Sequence, residues 1–324
     1  MPFKHNAARR HRIPKQRWRV TNWPAYEAGL RRRGDLTFWL DEAALAGWQA
    51  PRRSTPGGQP RYSALAIELV LTLRLVFHLA LGQAEGFSRS VLRLLGFELA
   101  IPDHTTLSRR GRAFAGRQPR VARHDGPVHL VLDTTGLQLF GQGEWDAPKH
   151  GRARRQWRKL HLAVDAGSSE IAAHVLTAGN CDDAGQAPDL LRQVEGTIGS
   201  LTADGAYDSD AVYRAASACR NGLPPDVVVP PRSSAVASTE DPAAQTSRDR
   251  HIQPVAEKSR MAWQRITGYG RRNLVETAIG RYQHLIGPKL RARTLIAQQG
   301  EAALAVAVLN RMNRVAKPVS VRRA

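Results

Sequence analysis

Cysteine is nearly absent: Cys181 and Cys219 are the only two in 324 residues. Two thiols supply neither a disulfide framework nor a structural zinc site, which need more ligands at closer spacing, so a reducing compartment is expected. Acidic residues are also scarce, 28 Asp+Glu against 48 Lys+Arg, giving a formal net charge of +20 and a pI near 11.1. That balance makes a polyanionic partner the expectation. Lysine accounts for seven of the cations and arginine for 41. Arginine suits phosphate clamping, but GC-rich coding gives the same ratio, so the total charge is the informative quantity. A clean membrane-length apolar run is missing too: residues 64–81 have the length but are interrupted by Glu68, Arg74 and His78, and read as a buried helix. Residues 1–21 are basic without the apolar segment of a secretory signal, so a cytoplasmic, nucleoid-associated protein is expected. Apolar residues are not lacking. At 42% hydrophobic the chain is not wholly disordered, and its length allows one large domain or two ordinary ones.

Charge and texture divide the chain. Residues 1–125 hold 22 Lys+Arg and 9 Asp+Glu, so +13 of the +20 lies there. Ser63 is placed to cap a helix over 64–81, Gly82 and Gly86 mark a turn, 87–95 reads as a second helix, and Pro102-Asp103 opens a third over 104–114. That third helix carries Thr105, Thr106, Ser108, Arg109, Arg110 and Arg112, the pattern of a helix-turn-helix DNA reader. A small bundle with an Arg-rich solvated face reads the same way. Residues 52–61, with Pro56, Gly57, Gly58 and Pro60, form a linker. After Pro127, apolar runs at 129–132, 159–164, 171–176, 200–203 and 227–229 read as strands, with helical lengths at 185–196 and 209–221. An α/β domain over 126–313 is expected. Within it, 230–260 is polar and aperiodic and reads as a flexible insertion. Helices around 273–285 and 301–312 follow, and 314–324 reads as a frayed basic tail.

Three acids stand out. Asp133 follows the apolar run of the first strand in Leu-Val-Leu-Asp-Thr-Thr-Gly, and Asp204 holds the same place in Leu-Thr-Ala-Asp-Gly-Ala-Tyr-Asp. Strand ends are where α/β sheets place their chemistry, and two such acids can share a metal. Glu276 falls four residues after Arg272 and seven after Tyr269, on one helix face. Singly, each acid has a structural reading: caps or turn formers for the aspartates, an exposed i,i+4 partner of Arg272 for the glutamate. Between 149 and 159, six of eleven residues are basic (Lys149, Arg152, Arg154, Arg155, Arg158, Lys159), with no acid. This reads as a phosphate-binding stretch. Trp157, within it, reads either as a base-stacking platform or as core packing.

Together these segments resemble the DDE transposases of bacterial insertion sequences, specifically the insertion-sequence-five family, over nearly the whole chain. The matching residues begin with Thr21-Asn22-Trp23-Pro24-Ala25-Tyr26, Arg33-Gly34-Asp35-Leu36-Thr37-Phe38-Trp39 and Pro102-Asp103-His104-Thr105-Thr106-Leu107-Ser108-Arg109-Arg110. They continue with Asp133 and Asp204 in the strings above, and with Tyr269, Arg272 and Glu276 in the order Tyr, two residues, Arg, three residues, Glu. The family signature ends in a Lys after six more residues; here that position is Gln283, with Arg281 and His284 beside it.

The resemblance implies an α/β fold: an RNase H-like catalytic domain with a mixed sheet flanked by helices, preceded by an α-helical, helix-turn-helix-like DNA-binding region. It implies a triad of Asp133, Asp204 and Glu276 holding Mg²⁺, with Mn²⁺ as its substitute, with Arg272 on a phosphate and Tyr269 positioning the terminal nucleotide. Double-stranded DNA, as element ends and target, and at least a homodimer on it are the implied partners. In phosphoryl transfer two Mg²⁺ ions activate one oxygen and stabilise another, and Mg²⁺ takes a few hard carboxylates, so three acids suffice. Asp133 is the expected bridging ligand. The competing readings are a sequence-specific DNA-binding protein without catalysis, a metal-dependent nuclease that never joins strands, and a basic RNA-associated protein, which leaves the strand-end acids unexplained.

Overall fold

The computed structural model describes residues 18–40, 42–121, 126–141, 156–219, 224–239 and 246–322. The chain forms two compact units, 1–38 with 312–324, and 39–311. In the first unit, strand β1 (Trp18–Val20) pairs antiparallel with the C-terminal strand Ser320–Arg322. The tail expected to be frayed is tied down. Asn22, just before helix α1 (Trp23–Arg33), donates to the Lys317 carbonyl at 3.0 Å and accepts from the Val319 N–H at 2.8 Å. The Arg33 guanidinium donates to the carbonyls of Met312 and Ala316.

The second unit is built on a mixed sheet in which all five expected strands form: β2 (Val128–Leu139), β3 (Trp157–Asp165), β4 (Ile171–Ala178), β5 (Ile198–Thr202) and β6 (Asp226–Val228). Their order is β4-β3-β2-β5-β6. The three chain-consecutive strands β2, β3 and β4 are antiparallel and the other two run parallel to β2. With helices flanking the sheet, this is the RNase H-like arrangement. β2 is central, and its Leu130, Val131 and Leu132 are all buried, as expected of a strand covered on both faces. Leu130 and Leu132 pack with helices α5 (Ala187–Arg192) and α6 (Asp210–Ser217) through Leu190, Leu191, Val212 and Ala216. The two-residue strand β7 (Lys289–Leu290) pairs with the far end of β2, at Gln138 and Leu139.

The three helices expected before the sheet form, with shifted bounds. Ser63 caps α2 (Ala64–Val76), accepting from the Ala66 N–H at 3.1 Å. The turn comes earlier than Gly82: His78 takes a positive φ of 54°, and the Gln83 side chain accepts from the Ala80 N–H at 2.9 Å, starting α3 (Leu81–Leu94) there. Gly82 and Gly86 thus lie inside a helix. The chain bends by 108° between α2 and α3, within the range of helix-turn-helix pairs. Asp103 caps α4 (His104–Gly111), which runs on as a 3₁₀ turn over Arg112–Phe114.

Residues 230–260, expected to be a flexible insertion, instead contain α7 (Asp249–Lys258), followed by α8 (Arg260–Ile266). Polar anchors replace the apolar periodicity that would have revealed them. Asp249 is buried and accepts from the Ser238 and Thr246 N–H groups, both at 2.9 Å. His251 bonds to the Val227 carbonyl of β6 at 2.7 Å and receives the Trp263 indole N–H at 3.1 Å. Helix α9 (Asn273–Arg281) passes into a π turn (Tyr282–Ile286), and α10 (Leu295–Val315) is longer than the 301–312 expected. Asn310 on α10 bonds both backbone groups of Ile171, pinning the helix to β4. Among the described residues no single helix is long and apolar enough to cross a membrane.

Candidate active site

Strand register brings the first two acids together. Val131 on β2 pairs in parallel with Thr202 on β5, so Asp133 and Asp204 each stand two residues beyond the last paired positions. Strands in a sheet lie about 4.8 Å apart, and residues two along project from one face. β5 stops pairing with β2 at Val131 and β7 begins at Gln138, leaving the β2 edge open between them. Helix α9 packs against this stretch and delivers Glu276. The Arg272 guanidinium links the sets, donating to Asp133 Oδ2 at 3.0 Å and to Glu276 Oε1 at 2.9 Å.

Each aspartate is oriented by a backbone N–H one or two residues on. Asp133 Oδ1 accepts from the Thr134 N–H at 2.8 Å, and Asp204 accepts from the Ala206 N–H at 3.0 Å. Asp204 is therefore also a cap, and Glu276 also an i,i+4 partner of Arg272; the structural readings and the clustering hold together. Burial raises the pKa of Asp133, and the charges of Asp204 and Glu276 raise it further against the opposing pull of the Thr134 N–H and Arg272. Burial works against the charge of Arg272, but Asp133, Tyr269, Glu276 and Asp204 outweigh it and hold the guanidinium above its ordinary value. Arg272 Nε is buried and has no hydrogen-bond partner, so only part of its fork is satisfied. Tyr269 is shifted up by burial, with Asp204 and Asp133 adding to the shift; its ring lies 5.2 Å from that of Trp263.

The donor set fits a hard divalent cation in kind, being carboxylate oxygen throughout, and a positive group already sits between Asp133 and Glu276. Among the described residues no three His, Cys, Asp or Glu side chains are close enough to hold one ion. The Arg272 side chain lies between two of the triad.

Behind the acids is a buried polar relay that sequence inspection missed. Thr134 Oγ1 bonds to His161 Nδ1 at 2.9 Å and to the Tyr207 hydroxyl at 3.1 Å, and His161 Nε2 meets Thr177 Oγ1 at 2.9 Å. Thr134 follows Asp133 and Tyr207 closes the turn begun by Asp204, so one hydrogen bond couples the two acid-bearing segments. Burial lowers the His161 pKa to about 4 and pushes the Tyr207 phenol above its ordinary range. Gln283, where the family signature has Lys, donates to Thr135 Oγ1 at 2.8 Å and fastens the π turn to β2.

The expected DNA contacts are dispersed. Trp157 pairs in register with Gln138 and Lys159 with Gly136, which places them along β2 away from Asp133. Trp157 is 44% exposed with its ring over Gly136. Arg158 donates to Gln298 at 2.9 Å, and the Lys159 ammonium to the Cys181 carbonyl and the Asp183 carboxylate at 2.8 and 2.9 Å. Lys149, Arg152, Arg154 and Arg155 lie outside the described residues. On α4, the Thr105 and Thr106 hydroxyls bond to Asp103, Arg110 donates to the Tyr62 carbonyl, and Arg109 is exposed, as is Arg112 just beyond.

Residues 124–311 match the family model described as a transposase DDE domain, and residues 31–142 match a second model of the same description. Among solved structures the chain is similar to a piggyBac transposase in a synaptic complex with hairpin DNA, determined by cryo-EM. Identity is 12% and the TM-score 0.41, over 87% of this chain and 73% of that one.

Proposed function

The chain belongs to the family of transposases that carry a DDE domain, and from that premise we propose that it moves an insertion sequence of the insertion-sequence-five type. It binds the terminal inverted repeats, cleaves at the element ends and joins the freed 3′-hydroxyls to target DNA, acting as at least a dimer on the bacterial chromosome in the cytoplasm. The observation that carries this reading is the Val131–Thr202 register, which sets Asp133 beside Asp204 on the open edge of β2 where α9 brings Glu276.

In cleavage, a water oxygen attacks phosphorus, the P–O3′ bond breaks and the 3′-oxygen takes a proton. In joining, that 3′-hydroxyl gives up its proton, attacks a target phosphodiester and displaces the target's own 3′-oxygen. One P–O bond replaces another, so no energy source is needed. Transposases of this family are typically divalent-metal dependent; here Asp133, Asp204 and Glu276 would hold Mg²⁺ or Mn²⁺, which when bound activates the attacking oxygen and neutralises charge at the phosphate. The N–H groups of Thr134 and Ala206 fix one oxygen of each aspartate, and the second oxygen of Asp133 is held by Arg272. Arg272, which bridges Asp133 and Glu276, is the candidate contact for a phosphate oxygen, and Tyr269 the candidate for positioning the terminal nucleotide.

The test is to incubate the purified chain with labelled duplexes from the sequences flanking its gene and a plasmid target, with Mg²⁺ or EDTA. Asp133→Ala, Asp204→Ala and Glu276→Ala are expected to lose at least 10³-fold in cleaved and joined product while retaining end binding, in line with about 4 kcal/mol of transition-state stabilisation. Binding without product from the wild type would leave a regulatory DNA-binding protein; cleavage without joining would leave a nuclease.

A further inference from the structure

A cavity of about 830 Å³ opens between α2, α4 and residues 291–297, with Arg109 and Arg112 on one wall and Arg291 and Arg293 on the other. All four arginines are exposed. The single acid in its lining, Glu301, is committed: it faces Arg74 at 3.6 Å and accepts from the N–H groups of Arg291 and Ala292 at 3.1 and 2.8 Å. Among the described residues, none of Arg109, Arg112 and Arg293 has a carboxylate within ion-pair distance. A second cavity, of about 760 Å³, shares Arg291 and Arg293 with the first and runs on to Phe140 and Gly141 at the end of β2. The two share a positive lining that, among the described residues, holds no uncommitted carboxylate.

We propose that this trough is a track for the phosphodiester backbone of duplex DNA, rather than α4 acting as a base reader in the major groove. The cations come from two segments far apart in the chain, an arrangement suited to following a line of phosphates. The polar groups of α4 that would read bases are reduced, because Asp103 holds the Thr105 and Thr106 hydroxyls. The trough ends at Phe140, seven residues from Asp133 along β2, a span of about 23 Å at 3.3 Å per residue, which corresponds to about seven base pairs at 3.4 Å each. DNA lying in it therefore reaches the carboxylates within one helical turn. This inference rests on the transposase reading and adds the contact surface and its sequence independence.

The test measures binding of a 30-base-pair duplex of unrelated sequence by fluorescence anisotropy from 50 to 300 mM KCl. The chain is compared with Arg112→Gln, Arg293→Gln, Arg293→Lys and Arg192→Gln, the last an exposed arginine paired with Asp189 elsewhere on the surface. Each glutamine variant in the trough is expected to reduce the slope of log K against log salt by about 0.9 and to weaken binding several-fold at 100 mM, as loss of one phosphate contact does. Arg293→Lys and Arg192→Gln should keep the wild-type slope. Trough variants that bind like wild type, or an Arg192→Gln loss of equal size, would overturn the track while leaving DNA binding intact. A wild type that binds no duplex at any salt would overturn the transposase reading itself.

Discussion

Arg272 is the residue on which the site turns. Its fork neutralises Asp133 and Glu276 at once, and three carboxylates drawn together without a cation repel one another. Arg272→Ala is therefore expected to destabilise the metal-free protein by on the order of 2 kcal/mol, the cost of leaving a largely buried carboxylate unpaired after part of the loss is relieved by protonation. Added Mg²⁺ should then raise the melting temperature of Arg272→Ala more than that of wild type, since the ion supplies the charge the guanidinium had supplied. Calorimetry with and without Mg²⁺ decides it: equal shifts would show that ion and arginine do not share these carboxylates. The pairing was legible in sequence because helix periodicity sets Arg272 and Glu276 four apart. The contacts of Thr134 with His161 and Tyr207 were not, because they join strands and turns 27 and 73 residues apart, and no local spacing encodes them.

At the scale of elements, the strands were readable because each is an apolar run bounded by turn residues, and the register that aligns Asp133 with Asp204 follows from them. The helix at 249–258 was hidden because Asp249 and His251 hold it through polar bonds, and the turn near residue 80 was misplaced because glycine was taken as its marker. Two of the helical glycines, Gly300 and Gly86, make a matched experiment. Gly300 on α10 meets the backbone of α4: a Cβ there would lie 2.3 Å from the Gly111 carbonyl oxygen. At Gly86 in α3 an added Cβ meets nothing within 4 Å. Gly86→Ala is expected to stabilise by up to about 1 kcal/mol through helix propensity. Gly300→Ala should destabilise by about 1–3 kcal/mol through overpacking against backbone that cannot swing aside. Because α4 and the segment leading into α10 form the trough walls, the latter variant should also weaken duplex binding. Urea denaturation of both variants is the check, and equal signs would mean that α4 and α10 are not in backbone contact.

For the molecule as a whole, acid is the natural stress. Burial lowers the pKa of both His161 and His174 to about 4, against an ordinary value of 6.5. The unfolded chain therefore binds two protons below pH 6.5 that the folded chain refuses until about pH 4, so stability is full above 6.5 and falls as the pH drops between those limits. At 1.36 kcal/mol per pKa unit, each histidine accounts for at most about 3 kcal/mol. A net charge of +20, which acid only increases, predicts the same trend through self-repulsion. The two causes differ in their response to salt: at 1 M the screening length is about 3 Å, which removes repulsion between surface charges but not the cost of charging a buried ring. His174 separates them further, because its Nδ1 is buried without a partner, whereas its backbone bonds to Gln193 do not need the ring. His174→Leu should cost little at pH 8 and remove about half of the pH dependence between 6.5 and 4, at low salt and in 1 M KCl alike. Urea midpoints across that range are the measurement. A slope that vanishes in 1 M KCl, or that His174→Leu leaves unchanged, would assign the acid lability to net charge instead of the buried histidines.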